Sequence, residues 1–141
     1  GLAGLPRKVG RGAAFGDYDN DGDIDIFINN SNQTANLLRN DGGNKSHWLM
    51  IQTVGTKSNR DGIGTRIQVT AGSLSQIKEV RSGSSYLSQN DLRVPFGLGE
   101  HPKADRIELR WPSGMTEAFF DVKSNQLLII TEGQGMKQGN K

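Results

Sequence analysis

The chain has 141 residues, enough for one domain of ordinary size with the edge of a second and too few for two full cores. A third of the residues are hydrophobic and 19 are glycine, about twice the usual ~7 % share, which excludes disorder over the whole length and points to many turns. The net charge of +2 is unevenly placed, −5 between Asp17 and Asp25 and +7 elsewhere, with bases too scattered for a nucleic-acid binder and no cysteine for disulfides, thiolate zinc sites or a thiol nucleophile.

The acidic run comes first along the chain. Asp17, Asp19, Asp21, Asp23 and Asp25 occupy its positions 1, 3, 5, 7 and 9, with Gly22 at position 6. Hard oxygen ligands at alternate positions converge on one cation if the chain wraps it, and glycine permits the positive φ of a sharp wrap. Ca²⁺ is the expected occupant, because the near-octahedral demand of Mg²⁺ and its retained waters suit a crowded protein cage poorly. An EF-hand would carry Glu at position 12, where Ile28 stands, and Ile24 to Ile28 reads as a strand rather than a helix. The side chains of Asp17, Asp19, Asp21 and Asp25 are expected to offer oxygens, and Asp23 its backbone carbonyl, since its side chain alternates away. A solvated acidic turn is the bland alternative. It is disfavoured because five carboxylates so close repel one another by ~1 kcal/mol per close pair even in water.

Period-two patterns follow. Strands are expected at Asp23 to Ile28, Asn36 to Arg39, Trp48 to Val54, Thr65 to Ala71, Gln76 to Arg81, Leu92 to Leu98, Asp105 to Trp111, Thr116 to Phe120 and Gln126 to Thr131. The clearest is Asp105 to Trp111, where Ile107, Leu109 and Trp111 alternate with Arg106, Glu108 and Arg110. Pro112-Ser113-Gly114 reads as the turn of a hairpin. Nowhere does a 3.6-residue period persist, so eight or nine short strands predict an all-β sandwich or barrel. The turn-rich stretch Asp41 to Ser46 marks a junction. The chain is therefore expected to divide into residues 1–40, too few for a core of their own, a β domain over 41–132, and a flexible tail over 133–141.

Two further loops are candidates for meeting a partner. Asn59, Arg60 and Asp61 lie in a polar loop in which the Arg60 fork could face a carboxylate or phosphate, and Ser84, Tyr86 and Gln89 form a hydroxyl- and amide-rich rim with an aromatic face suited to a sugar. The ordinary alternatives, a structural turn and a bulged strand, are favoured for both.

The stretch Gly12-Ala13-Ala14-Phe15-Gly16-Asp17-Tyr18-Asp19-Asn20-Asp21-Gly22-Asp23-Ile24-Asp25-Ile26 resembles an FG-GAP or VCBS repeat, the blade unit of integrin-type β-propellers, whose loop binds calcium. Residues 47–132 resemble the ASPIC/UnbV domain, through His47-Trp48-Leu49, Ser58-Asn59-Arg60-Asp61-Gly62-Ile63-Gly64, Gly83 to Asn90, Phe96-Gly97-Leu98-Gly99 and Arg110-Trp111-Pro112-Ser113-Gly114. The order is that of the cartilage acidic protein-like family. What the resemblance implies is a terminal propeller-blade fragment with its calcium loop, joined to a β module in a secreted, extracellular or cell-surface protein. Its partners would be the rest of the parent propeller and an extracellular protein or glycan.

No apolar run approaches the ~18 residues that span a bilayer, and Gly1 to Arg11 lacks the order of a signal peptide. The chain is therefore expected to be soluble, not membrane-inserted, and excised from a longer precursor. Catalysis finds little support: His47 and His101 are isolated, Ser113 lies outside any nucleophile elbow, and the densest carboxylates are committed to a cation. The expectation is a non-catalytic, calcium-binding interaction and scaffolding module. The alternative is an accessory, carbohydrate-binding domain of a larger carbohydrate-active or biosynthetic enzyme.

Overall fold

The computed structural model describes residues 4–139, among which there are eleven β-strands and no α-helix, so the all-β expectation holds. Strands β1 (Gly10–Gly16), β2 (Asp25–Asn30) and β3 (Gln33–Leu38) form an antiparallel three-stranded meander. A 3-10 turn at Gly43–Lys45 separates it from β4 (His47–Val54), β5 (Arg66–Ala71), β6 (Leu74–Glu79), β7 (Val94–Gly99), β8 (Lys103–Arg110), β9 (Thr116–Lys123), β10 (Gln126–Thr131) and β11 (Gly135–Gln138). These eight make two four-stranded sheets, ordered β11-β10-β4-β7 and β6-β5-β8-β9.

Alternation decides what each sheet buries. Ile67, Val69 and Ala71 of β5 and Ile107 and Leu109 of β8 point inward, while their neighbours Arg66, Gln68, Arg106 and Arg110 are exposed. They share one core with Leu49 and Ile51 of β4, Phe96 and Leu98 of β7, and Leu128 and Ile130 of β10. The module is a sandwich with open edges at β7, β11, β6 and β9. The barrel alternative is thereby corrected, since among the described residues no ladder joins the edges of the two sheets. One pairing is parallel: β10 lies beside β4, from Gln126 opposite Leu49 to Thr131 opposite Val54.

The expected hairpin around Pro112-Ser113-Gly114 is present, closed by the Trp111 N–H donating to the Met115 carbonyl at 2.9 Å. Two strands escape the periodicity. β1 is built on small residues, Gly12-Ala13-Ala14, which carry little strand preference and hold their place by pairing with β2. β11 is polar and short, and it corrects the expectation of a flexible tail over 133–141. Gly133 and Gly135, at φ of +71° and +91°, turn the chain back so that β11 pairs with β10 from Leu128 opposite Gln138 to Thr131 opposite Gly135. The sandwich thus runs past the expected boundary at 132, and Asn140 and Lys141 lie outside the described residues.

Candidate metal centre

The acidic run forms the turn between β1 and β2. Asp17 shapes it: its Oδ1 accepts from the Asp21 N–H at 3.1 Å and its Oδ2 from the Gly22 N–H at 3.0 Å. Asp21 Oδ1 in turn accepts from the Asp23 N–H at 2.8 Å. This wrap brings carboxylate oxygens of Asp17, Asp19 and Asp21 within 4.8 Å of one another. Burial pushes the Asp17 carboxyl above its ordinary range, against the opposing pull of the Gly22 N–H, the Arg93 cation and the Asp21 N–H, and the charge of Asp21 pushes it the same way as burial.

Asp23 and Asp25, both buried, face elsewhere. Asp25 ties the ends of the turn together, its Oδ2 accepting from the Tyr18 N–H at 3.1 Å and its Oδ1 from the Asn40 N–H at 2.8 Å. Asp23 turns to the linker: its Oδ2 accepts from the Gly43 N–H at 2.8 Å, and its Oδ1 is buried without a hydrogen-bond partner. Of the five aspartates singled out by spacing, three side chains converge and two brace the loop.

The sandwich reaches into this turn, which spacing alone did not foretell. Arg93, just before β7, donates through Nη2 to the Asp17 carbonyl and through Nη1 to Asn20 Oδ1, each at 2.6 Å. Its Nε donates to Asp91 Oδ2, also at 2.6 Å. Asn20 sits at φ +59°, and the Arg93 contact holds it there. Nearby, the Asp91 N–H donates to the Phe15 carbonyl at 2.9 Å and the Phe15 N–H to Asn90 Oδ1 at 3.1 Å, so strand β1 is stitched to the segment before β7. The acid and base two residues apart in Asp91-Leu92-Arg93, immediately before β7, do not by themselves point to Asp17.

Glycine is required at two of these contacts. Gly22 lies at φ +99° against the Trp48 indole, where an added Cβ would come within 2.3 Å of the ring, and a Cβ on Gly12 would meet the Tyr86 carbonyl at 2.5 Å. Gly22→Ala is expected to cost about 2 kcal/mol, from the left-handed backbone and the displaced indole together. Urea unfolding checks it, and an unchanged midpoint would show that the Trp48 contact contributes nothing.

The remaining candidates separate into framework and surface. Asn59 is framework, its side chain bridging the N–H and carbonyl of Ile63 at 2.8 and 2.7 Å. Arg60 is exposed and lies 3.5 Å from Asp61. Ser84, Tyr86 and Gln89 are exposed on the segment before β7, with the Arg11 guanidinium 5.8 Å from the centre of the Tyr86 ring. The loop leading into Asn59 is fixed by a residue that sequence reasoning passed over. Buried Glu132 accepts through Oε2 from the N–H groups of Thr56, Lys57 and Ser58 at 2.8, 2.8 and 2.7 Å, and through Oε1 from the hydroxyls of Ser58 and Ser113.

A family model described as ASPIC and UnbV matches residues 55–137, more than half of the chain. Cartilage acidic protein 1 of Xenopus tropicalis is 29 % identical over 136 residues, covering 92 % of this chain and 21 % of that protein. The protein of the same name from Homo sapiens is 26 % identical over 113 residues, covering 77 % of this chain and 17 % of its own length. The chain thus spans about a fifth of the length of the curated relatives it matches.

Proposed function

Since the chain belongs to the ASPIC and UnbV family, we propose that it is a non-catalytic, calcium-binding interaction module of an extracellular protein, in which an FG-GAP-type turn is clamped to the family's β-sandwich. The observation that carries this reading is the convergence of Asp17, Asp19 and Asp21 in a turn held from the sandwich by Arg93.

The donor set fits a hard cation. Three carboxylates of one sign lie close together, one of them buried, and burial disfavours the charged form of Asp17 unless further positive charge is supplied. Asp17, Asp19 and Asp21 would hold the ion, with Asp25 and Asp23 fixing the backbone around them. Bound there, Ca²⁺ supplies charge neutralisation and a cross-link within the turn. A non-catalytic role is supported by the structural commitment of Ser113 and His47: Ser113 bonds Glu132, and His47 Nδ1 lies 3.0 Å from Ser124 Oγ and 3.1 Å from Asn125 Nδ2. The cross-strand neighbours Phe27 and Leu37, 46 % and 54 % exposed, support an adjoining blade of a propeller that would cover them. The extracellular reading draws support from the name of the relatives, and it suits a site of this kind, since extracellular calcium sites are typically filled at ~10⁻⁴ to 10⁻³ M.

Calcium is expected to raise the melting temperature and equimolar Mg²⁺ to raise it much less. Saturation at ~100 times the dissociation constant adds about 2.7 kcal/mol. A melting temperature indifferent to Ca²⁺ and to chelation would remove the metal from this reading, as would an Asp21→Ala variant that responds like the parent.

A further inference from the structure

Within the turn between β1 and β2, the groups that converge and the groups that grip the sandwich are interleaved. Asp17, Asp19 and Asp21 bring their carboxylates together, while the residues on either side of Asp21 contact the sandwich. Asn20 Oδ1 accepts from Arg93 Nη1, and Gly22 lies against the Trp48 indole of β4. Asp17 serves both sides: its carboxylate joins the cluster, and its carbonyl accepts from Arg93 Nη2. The turn cannot rearrange on one side alone.

The backbone makes the link. Asn20 stands between Asp19 and Asp21 with φ at +59°, and Gly22 follows Asp21 with φ at +99°, so these two left-handed residues set the directions in which the carboxylates point. Arg93 holds the first of them. Its own fork is fixed beforehand, since Asp91 accepts from the Arg93 N–H at 2.9 Å and from its Nε at 2.6 Å. The same carboxylate balances its charge. Arg93 therefore offers the turn hydrogen-bond geometry more than net positive charge, and does little to repel a cation held nearby. In an empty turn three like charges push apart and work against the Asn20 contact, whereas a cation removes that push. Two contacts that require the same backbone arrangement share the cost of ordering it, so each strengthens the other.

We infer, resting on the calcium reading above, that metal occupancy of this turn and its docking onto the sandwich are one coupled equilibrium, with Arg93 as the positioning residue. The sandwich raises the affinity of the turn for Ca²⁺ by holding Asn20 and the Asp17 carbonyl, and Ca²⁺ tightens the seam in return. The two effects are equal in free energy. Loss of the Arg93 contacts weakens Ca²⁺ binding about tenfold, within the ~5- to 150-fold span of such couplings. Calcium thereby regulates how firmly the β1-β2-β3 meander sits on the rest of the chain.

The test uses the intact chain, with backbone amide NMR giving both Ca²⁺ affinity and hydrogen-exchange rates. Arg93→Gln is expected to bind Ca²⁺ about tenfold more weakly than the parent. Asn20→Gly, which deletes the acceptor yet keeps the left-handed backbone accessible, is expected to weaken it in the same direction. Arg106→Gln, exposed on the sandwich and paired with Glu108, is expected to match the parent. Unchanged protection of the β5 and β8 amides certifies that the sandwich of each variant is folded. In the parent, Ca²⁺ is expected to slow exchange severalfold at the Asp91 and Gly43 N–H groups, which bond Phe15 and Asp23, neither of them in the cluster. In Arg93→Gln that slowing is expected to vanish at Asp91. A parent that does not bind Ca²⁺ overturns the calcium reading and this inference together. Calcium binding that both Arg93→Gln and Asn20→Gly leave within about twofold of the parent, or that changes exchange at neither Asp91 nor Gly43, leaves the calcium reading standing and overturns the coupling.

Discussion

Replacing Trp111 with alanine is expected to lower the unfolding free energy by about 4 kcal/mol, within the range for deleting a large buried aromatic. Trp111 is 2 % exposed at the end of β8, one residue before the hairpin turn. Its removal leaves a hole between the sheets beside Gly62, where an added Cβ would meet Thr53 Oγ1 at 2.5 Å and the indole at 3.2 Å. It also deprives Glu117 of a partner, because the indole N–H donates to Glu117 Oε2 at 2.7 Å. The two effects separate in a second variant. Trp111→Phe keeps most of the volume and loses the donor, so about half of the loss is expected to return. Urea denaturation with an unchanged m-value measures both, and a loss under about 1 kcal/mol for Trp111→Ala would show that the core closes over the gap.

The second large effect concerns Glu132 and has a pH signature. Burial raises the pKa of this carboxyl, but the Ser113 hydroxyl and the N–H groups of Ser58, Thr56 and Lys57 outweigh it and bring it down to about 2, from an ordinary value of 4.5. A group with a depressed folded-state pKa contributes stability that is complete above its unfolded value and disappears as the pH falls through the folded one. The contribution of Glu132 is therefore full above pH 4.5 and fades between there and pH 2. Glu132→Gln removes the charge and turns an acceptor into a donor facing N–H groups, so its melting temperature at pH 7 is expected to fall by on the order of 10 °C. The gap between parent and variant should narrow as pH falls from 4.5 toward 2. A gap that stays constant over that interval would mean that Glu132 is not ionised in the folded chain.

Much of this fold is legible in the sequence because alternation and burial coincide. Ile107, Leu109 and Trp111 were expected inside from period alone, and all three are buried. The strands that were missed lack that coincidence. β1 is small and β11 is polar, and each exists because a neighbouring strand offers its edge. Bounds drifted for a related reason. The strand expected at Gln76 to Arg81 runs from Leu74–Glu79, since its start is set by the turn at Gly72 rather than by any apolar residue. At the candidate metal centre, the spacing of Asp17, Asp19 and Asp21 told of convergence because the ligands are local. Arg93 was invisible, for its contact with Asp17 depends on how two modules dock, and no local pattern encodes that. Glu132 was hidden in the same way: it reads as the polar end of an apolar strand, and its five donors come from two distant loops.

The parallel pairing of β10 with β4 bears on how the chain acquires its structure. β4 opens the sandwich in sequence and lies at the centre of its sheet, yet one of its two neighbours is β10, near the end. As the chain leaves the ribosome, β4 can pair with β7 once that strand appears, but its other edge stays bare until Gln126 to Thr131 have been made. Loop closure over most of the module must precede that contact, which favours slow folding, in the millisecond to second range of non-local β topologies. Throughout that interval Leu49 and Ile51 are only half covered, and the growing chain is most exposed to mispairing with its neighbours along that edge.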